Sequence, residues 1–393
     1  MRLTSLSLVL GVLLCHGLLA NDLSKAFPSF STTGGKVVPS DFITAALKYD
    51  IDVSSSTVRG SATIKFVTAE RGFPAFDIIT TPSNVRVNNI STQAPEVSAG
   101  GVTRFRHLTT VLEPGTHTMS MEWSVSSATF SAGSVRLGFF MGDLSDRNFF
   151  EKYGPSSFEY DQYATEMEIT ITGAGQDHVV YTNGKASETD ANAWKIQFPD
   201  YFTTSSYFLH IVPKNYFQES RFQLQLQEKT VPVVVYGSSV SSAESNARNI
   251  LKELENTYGG FGHDNVTIYV SPSGGGMEYC CATMTSMGAL VHELSLSWFA
   301  RGVMPANGSS AWFDEAIASW RDEGYPRYTS SPGQQNLANF SPYRRYTTNL
   351  AYSGGMQVIG HLDYVLGGMK QVLRQFFAEK KRQTITTDIF REF

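Results

Sequence analysis

Apolar residues recur at every second position along much of the first half of the chain. Leu47, Tyr49, Ile51 and Val53 alternate with polar neighbours, Ser54-Ser55-Ser56 breaks the run, and Ala62, Ile64 and Phe66 resume it. A period of two puts such residues on one face of a strand, so the stretch predicts a hairpin with one buried face. The pattern returns at Met119, Met121, Trp123 and Val125, and again at Met167, Ile169 and Ile171. Tyr181-Thr182-Asn183-Gly184 carries a turn dipeptide, and residues 208–212 read as another short strand. From about Phe42 to Gln227 there is no helical period, internal repeat or low-complexity tract. This half predicts a β domain.

The character changes at Thr230. Residues 231–236 and 266–270 read as strands, with an amphipathic helix from Ser242 to Tyr258 between them and Ile250, Leu251 and Leu254 on its apolar face. A glycine-rich turn at 271–276 follows, and then a series of predicted helices at 283–300, 310–323, 355–366 and 369–381. Gly324 and Pro326 stop the second of these, and Thr386 is placed to cap a last short helix ending at Phe393. Strands followed by helices predict an α+β fold. The expected division is 1–20, 21–229 and 230–393. The span from Tyr325 to Asn349, rich in Ser, Pro, Tyr and Arg, is expected to be a surface excursion near the site.

The chain has 393 residues, 41% hydrophobic and 17% charged, a composition that suits two globular domains. Its net charge of −5 gives no basic face for nucleic acid. Residues 1–20 pair Arg2 with an apolar run and close on Leu18-Leu19-Ala20, which predicts a secretory leader and an exported product. A retained anchor is the competing reading, although the apolar core is short for a membrane span. No other long apolar run is present, so no stable membrane span is expected. Beyond the leader only the neighbours Cys280 and Cys281 remain, and they read as small buried residues rather than a bridge. Asn89-Ile90-Ser91, Asn265-Val266-Thr267 and Asn307-Gly308-Ser309 fit the N-glycosylation pattern.

The chemistry concentrates at His292-Glu293-Leu294-Ser295-Leu296. In an H-E-x-x-H helix, histidines at i and i+4 share a face and hold zinc, and the glutamate beside the first takes a proton from the metal-bound water. Here the first histidine and the glutamate are present, and the second histidine position is Leu296. Glu315 is separated from Leu296 by eighteen residues, in Trp312-Phe313-Asp314-Glu315, a spacing that suits a third ligand from the next helix.

Residues 275–320 resemble the zinc aminopeptidases of the aminopeptidase N family. Gly275-Gly276-Met277-Glu278 is similar to that family's G-x-M-E-N strand, with Tyr279 in place of the asparagine. Tyr352, in Ala351-Tyr352-Ser353-Gly354-Gly355, stands where the family has its catalytic tyrosine, and Gly354 where it usually has a lysine. The resemblance implies a β saddle followed by a thermolysin-like α+β domain with a mainly helical end. It also implies roles. His292 and Glu315 would hold zinc, Glu293 would be the general base and Tyr352 would serve the oxyanion. Glu278, with Gly276 and Met277, would receive the free amino group of a peptide.

Leucine cannot coordinate a metal. Its presence at 296 should weaken zinc by about a thousandfold, or ~4 kcal/mol, leaving it weak or lost. A substitute thiolate from Cys280 or Cys281 is one alternative, and direct pairing of His292 with Glu315 is the simpler one. Two functions therefore stand side by side. One is an exported aminopeptidase with residual zinc-water hydrolysis. The other is a relative that keeps the groove and binds peptides without cutting them.

Overall fold

In the computed structural model, the described residues are 26–99, 103–141, 151–158, 161–338, 340–343 and 347–393. The expected leader, 1–20, lies outside them. The predicted hairpin is the centre of an eight-stranded sheet. Asp41–Asp52 pairs antiparallel with Thr57–Thr68 in a register that sets Leu47 opposite Ala62 and Ala45 opposite Ile64. Leu47, Tyr49 and Ile51 are buried while Lys48 and Asp50 face out, as the alternation requires. The Asp52 carboxylate closes the turn by accepting from the backbone of Ser54 and Ser55.

Ala164–Thr172 joins the other side of this hairpin in parallel, bringing Met167 and Ile169 level with Leu47 and Tyr49. Gly115–Ser124 flanks it on the far side, and Ser83–Val87 and Ile90–Ser91 end the sheet. A five-stranded and a four-stranded sheet complete this half.

The second half is built on a five-stranded sheet in the order Gln218–Gln225, Thr230–Gly237, Val266–Val270, Ala282–Thr285, Gly276–Tyr279. The first of these strands lies on the N-terminal side of the boundary expected at 229. It nonetheless pairs along its full length with Thr230–Gly237. Helix α1, Val240–Tyr258, crosses between two parallel strands and buries Ala243, Ala247, Ile250, Leu251 and Leu254. Gly276–Tyr279 forms the sheet edge and returns through the two-residue turn Cys280-Cys281.

The helix expected over 283–300 is corrected by the structure. Ala282–Thr285 is a strand, and α2 runs only from Leu290 to Ser295. The β-branched Thr283 and Thr285 are buried in a ladder with Val266–Val270, so cross-strand pairing outweighs the apolar helical pattern. At the other end, the Ser295 hydroxyl donates back to the Val291 carbonyl and the helix tightens into three-residue turns at Ser297 and Trp298. The chain then turns to seat Trp298, whose indole donates to the Gly259 carbonyl at 2.9 Å.

The other helices fall close to expectation. They are α3 at Phe313–Asp322, α4 at Met356–Leu366, α5 at Met369–Lys380 and α6 at Thr387–Glu392, with the Thr386 side chain accepting from Ile389 N. A π-turn, Ala351–Gly355, leads into α4. Gly355 allows it to close on α3, since a Cβ there would stand 2.7 Å from that of Ala316. Segments of the span from Tyr325 to Asn349 lie against the body, with Leu337 buried and Tyr343 against Phe27 and Phe30. Among the described residues no helix is long and apolar enough to cross a membrane.

Candidate active site

The sheet edge, α2, α3 and the π-turn converge on one group of side chains. His292 projects from α2 toward α3, where Glu315 and Asp322 lie seven residues apart, two helical turns on one face. Its Nε2 is 3.0 Å from Glu315 Oε2 and its Nδ1 is 2.6 Å from Asp322 Oδ2. Burial pulls the imidazole pKa down, but the Asp322 and Glu315 hydrogen bonds more than offset this and push it up to about 11. The ring is an imidazolium that donates from both nitrogens.

Glu293, the next residue, turns into the protein. It is 6% exposed, and its Oε2 has no hydrogen-bond partner among the described residues. Burial first, then the nearby Glu278 charge, hold its carboxyl well above the usual range, with His292 opposing. Its carboxyl lies over Gly276, where a Cβ would come within 2.2 Å of Oε1. Gly276 thus makes room for Glu293.

Glu278, on the edge strand, is already paired. Arg301 is almost fully buried and donates from Nη2 to Glu278 Oε1 at 3.0 Å and to the Glu278 carbonyl at 3.2 Å. Its Nη1 donates to Ser205 Oγ at 3.1 Å. Asp314 is buried, and burial followed by the Glu315 charge raises its pKa. Met277 packs with Tyr236, Phe208 and Tyr279, and the Tyr279 hydroxyl accepts from Met141 N at 2.9 Å. Tyr352, on the π-turn, lies near-parallel to the His292 ring with centroids 6.2 Å apart. Burial, then the Glu315 carboxylate, keep its phenol protonated well above its ordinary value.

The structure brings His292, Glu293, Glu315, Tyr352, Glu278 and Gly276 together, while Met277 packs into the aromatic cluster beside the edge strand. Sequence reasoning missed Asp322 and Arg301. An i, i+7 match to Glu315 on one helix was the available signal for Asp322. For Arg301 there was only a lone cation closing the apolar run from Trp298 to Ala300.

No protein-family model matches the chain, and no curated protein matches it in sequence. Solved structures do. An M1 zinc metallopeptidase from Deinococcus radiodurans superimposes with a TM-score of 0.65 over 93% of this chain and 91% of its own, at 15% identity. The fold is that of the M1 zinc metallopeptidases. The Deinococcus radiodurans enzyme has also been solved as a mutant bound to a Tyr-Ser-Ala substrate. Legionella pneumophila aminopeptidase A matches with a TM-score of 0.65 at 14% identity, over 90% of this chain and 47% of that one. Native yeast LTA4 hydrolase matches with a TM-score of 0.59 at 13% identity, over 90% and 64% respectively.

The Deinococcus radiodurans neighbour is a zinc metallopeptidase, and the residues present here do not offer a zinc donor set. Leu296 is buried against Ala300 and Ala318, so the second-histidine position is part of an apolar contact. His292 and Glu315 are bonded to each other. Among the described residues no three His, Cys, Asp or Glu side chains are grouped to hold an ion. Nor do the cysteines substitute. Cys280 donates to the Arg301 carbonyl and Cys281 to Asn265 Oδ1, and burial pushes the Cys280 thiol up to about 11 and the Cys281 thiol up as well.

Two substitutions test this arrangement. Gly276→Ala should displace the Glu293 carboxyl and lower unfolding stability by about 1–3 kcal/mol, measured by urea denaturation; an unchanged midpoint would remove Gly276 from the site. Leu296→His should cost roughly 1–3 kcal/mol without metal, because a polar ring enters an apolar contact. Added zinc should then raise the melting temperature of the variant, by binding the native state, while leaving the parent unmoved. Near-stoichiometric zinc on the parent protein would contradict the donor analysis.

Proposed function

We propose that this protein binds peptides on an M1 fold without hydrolysing them. The observation that carries the reading is the saturation of His292 by Glu315 and Asp322 while Leu296 is packed away in apolar contact. The charge that a metal would supply between α2 and α3 is carried instead by the imidazolium. Burial and the nearby Glu278 charge hold the Glu293 carboxyl well above the usual carboxylate range, and its Oε2 has no hydrogen-bond partner among the described residues.

A binding role is supported by what remains. Gly276–Tyr279 is a sheet edge, and an extended peptide can add to such an edge through main-chain hydrogen bonds. The Tyr352 ring, partly exposed beside His292, offers an aromatic contact next to it. The motif residues support descent from peptidases of the aminopeptidase N type, and the apolar leader at 1–20 supports export. Glu278 is the point where recognition departs from the implied pattern. A peptide ammonium reaching it must compete with the Arg301 guanidinium, so a free amino terminus is of modest value to binding.

The second reading, residual aminopeptidase activity, is favoured by the close grouping of His292, Glu293, Glu315 and Tyr352. One experiment separates the two. Purified protein should release no product from an aminoacyl amide, with or without added zinc. It should bind short peptides in calorimetry, with acetylated and free forms within about 1.4 kcal/mol, or tenfold, of each other. Turnover abolished by a chelator would establish the peptidase instead, and absence of any peptide binding would end the binding reading.

A further inference from the structure

Asparagine-linked glycosylation requires an accessible side-chain amide and a hydroxyl two residues on. The fold treats the triplets of this chain unequally. At Asn265 both groups are occupied: Nδ2 donates to the Asn183 carbonyl at 3.1 Å, Oδ1 accepts from Cys281, and the Thr267 hydroxyl donates to the Thr182 carbonyl at 3.2 Å. At Asn307, Oδ1 accepts from Ser309 N, and the Ser309 hydroxyl is tied to the Phe340 carbonyl at 2.9 Å. A fourth triplet, Asn339-Phe340-Ser341, has its asparagine outside the described residues and plays no part here.

Asn89 differs. Val87 pairs with Ile90, so Asn88-Asn89 is a two-residue hairpin turn, with positive φ of 50° and 65° that asparagine tolerates. Asn88 locks the turn: its Oδ1 accepts from Thr118 N and its Nδ2 donates to His117 Nδ1. Asn89, Ile90 and Ser91 are all exposed. The turn also closes the last strand of the eight-stranded sheet, Ile90–Ser91, where Ile90 is 63% exposed on an open edge. Such an edge is a template for pairing with another chain unless something covers it.

We propose that Asn89 is the acceptor of an N-linked oligosaccharide, which covers this sheet edge. The inference rests on the reading of the protein as exported. In the transfer, Asn89 Nδ2 forms a bond to the anomeric carbon of a polyprenyl-diphosphate-linked oligosaccharide. The bond from that carbon to the diphosphate oxygen breaks, the polyprenyl diphosphate leaves with the electron pair, and an amide proton is released. The hairpin presents the amide and the Ser91 hydroxyl outward, and a bulky glycan there meets no packed surface. At Asn265 the same addition would disturb the bond that Nδ2 donates to the Asn183 carbonyl, and at Asn307 the Ser309 hydroxyl is already tied to the Phe340 carbonyl.

The test is secretion from cultured insect cells, with the full chain carrying its own leader and, in parallel, with residues 1–20 exchanged for a proven secretory leader. Glycopeptide mass spectrometry should find oligosaccharide on Asn89 and unmodified Asn265 and Asn307. Amidase treatment should shift the gel mobility of the parent, Asn89→Gln should lose the Asn89 glycopeptide, and the variant should show more self-association in light scattering. An unmodified Asn89 in protein secreted from the exchanged leader would overturn the proposal, as would oligosaccharide on Asn265 or Asn307. Failure of the chain's own leader alone would count against export while leaving the Asn89 result readable from the parallel arm.

Discussion

The imidazole of His292 has a carboxylate on each nitrogen, and a ring so placed keeps its proton despite burial. Both carboxylates come from α3 and the ring from α2, so a single charged group ties the two helices. Burying a lone charge is costly, but this one is compensated on both sides and keeps some contact with solvent, with the His292 side chain 21% exposed. Leu296 then has nothing polar to face and packs against Ala300 and Ala318. The burial of Leu296 and the pairing of His292 belong to one arrangement.

The remaining charges follow from the same constraint. Five carboxyl groups, those of Glu278, Glu293, Asp314, Glu315 and Asp322, share the region with the cations of His292 and Arg301. Arg321 adds a third cation at 3.9 Å from Asp322 but is shared with Glu253, so the carboxyl groups still outnumber the cations. Burial accordingly raises Glu293 and Asp314, which the crowding of negative charge reinforces. Arg301 holds Glu278 from behind the sheet edge and bonds to Ser205 of the N-terminal half, so it joins the edge strand to that half as well.

The β half was legible in sequence because each strand buries one face: Leu47, Tyr49 and Ile51, or Met119, Met121 and Trp123, leave a period-two signal that the sheet retains. The region at 283–300 was not, because a mixed apolar run with threonines fits a helix or a buried strand alike. The decision there was made by the ladder to Val266–Val270 and by the seat of Trp298 against Gly259. At the site, His292, Glu293 and Glu315 could be read from spacing along the chain. Asp322 looks like a solvated helix end, and the pairing of Arg301 with Glu278 spans twenty-three residues with no local trace. Tyr279, in the place of an asparagine, gave no hint that its hydroxyl accepts from Met141 in the opposite half.

The most direct test of the account is the protonation state of His292 itself. A pKa raised to about 11 means that the folded chain keeps a proton the unfolded chain releases near 6.5. The stability this contributes is complete below about pH 6.5 and is lost as the pH rises toward the folded value. Nitrogen-15 NMR of imidazole-labelled protein, assigned with His292→Gln, should show both His292 nitrogens protonated up to a pH of about 9. A His292 signal that titrates near 6.5 would contradict the clamp and return the ring to the role of a neutral donor.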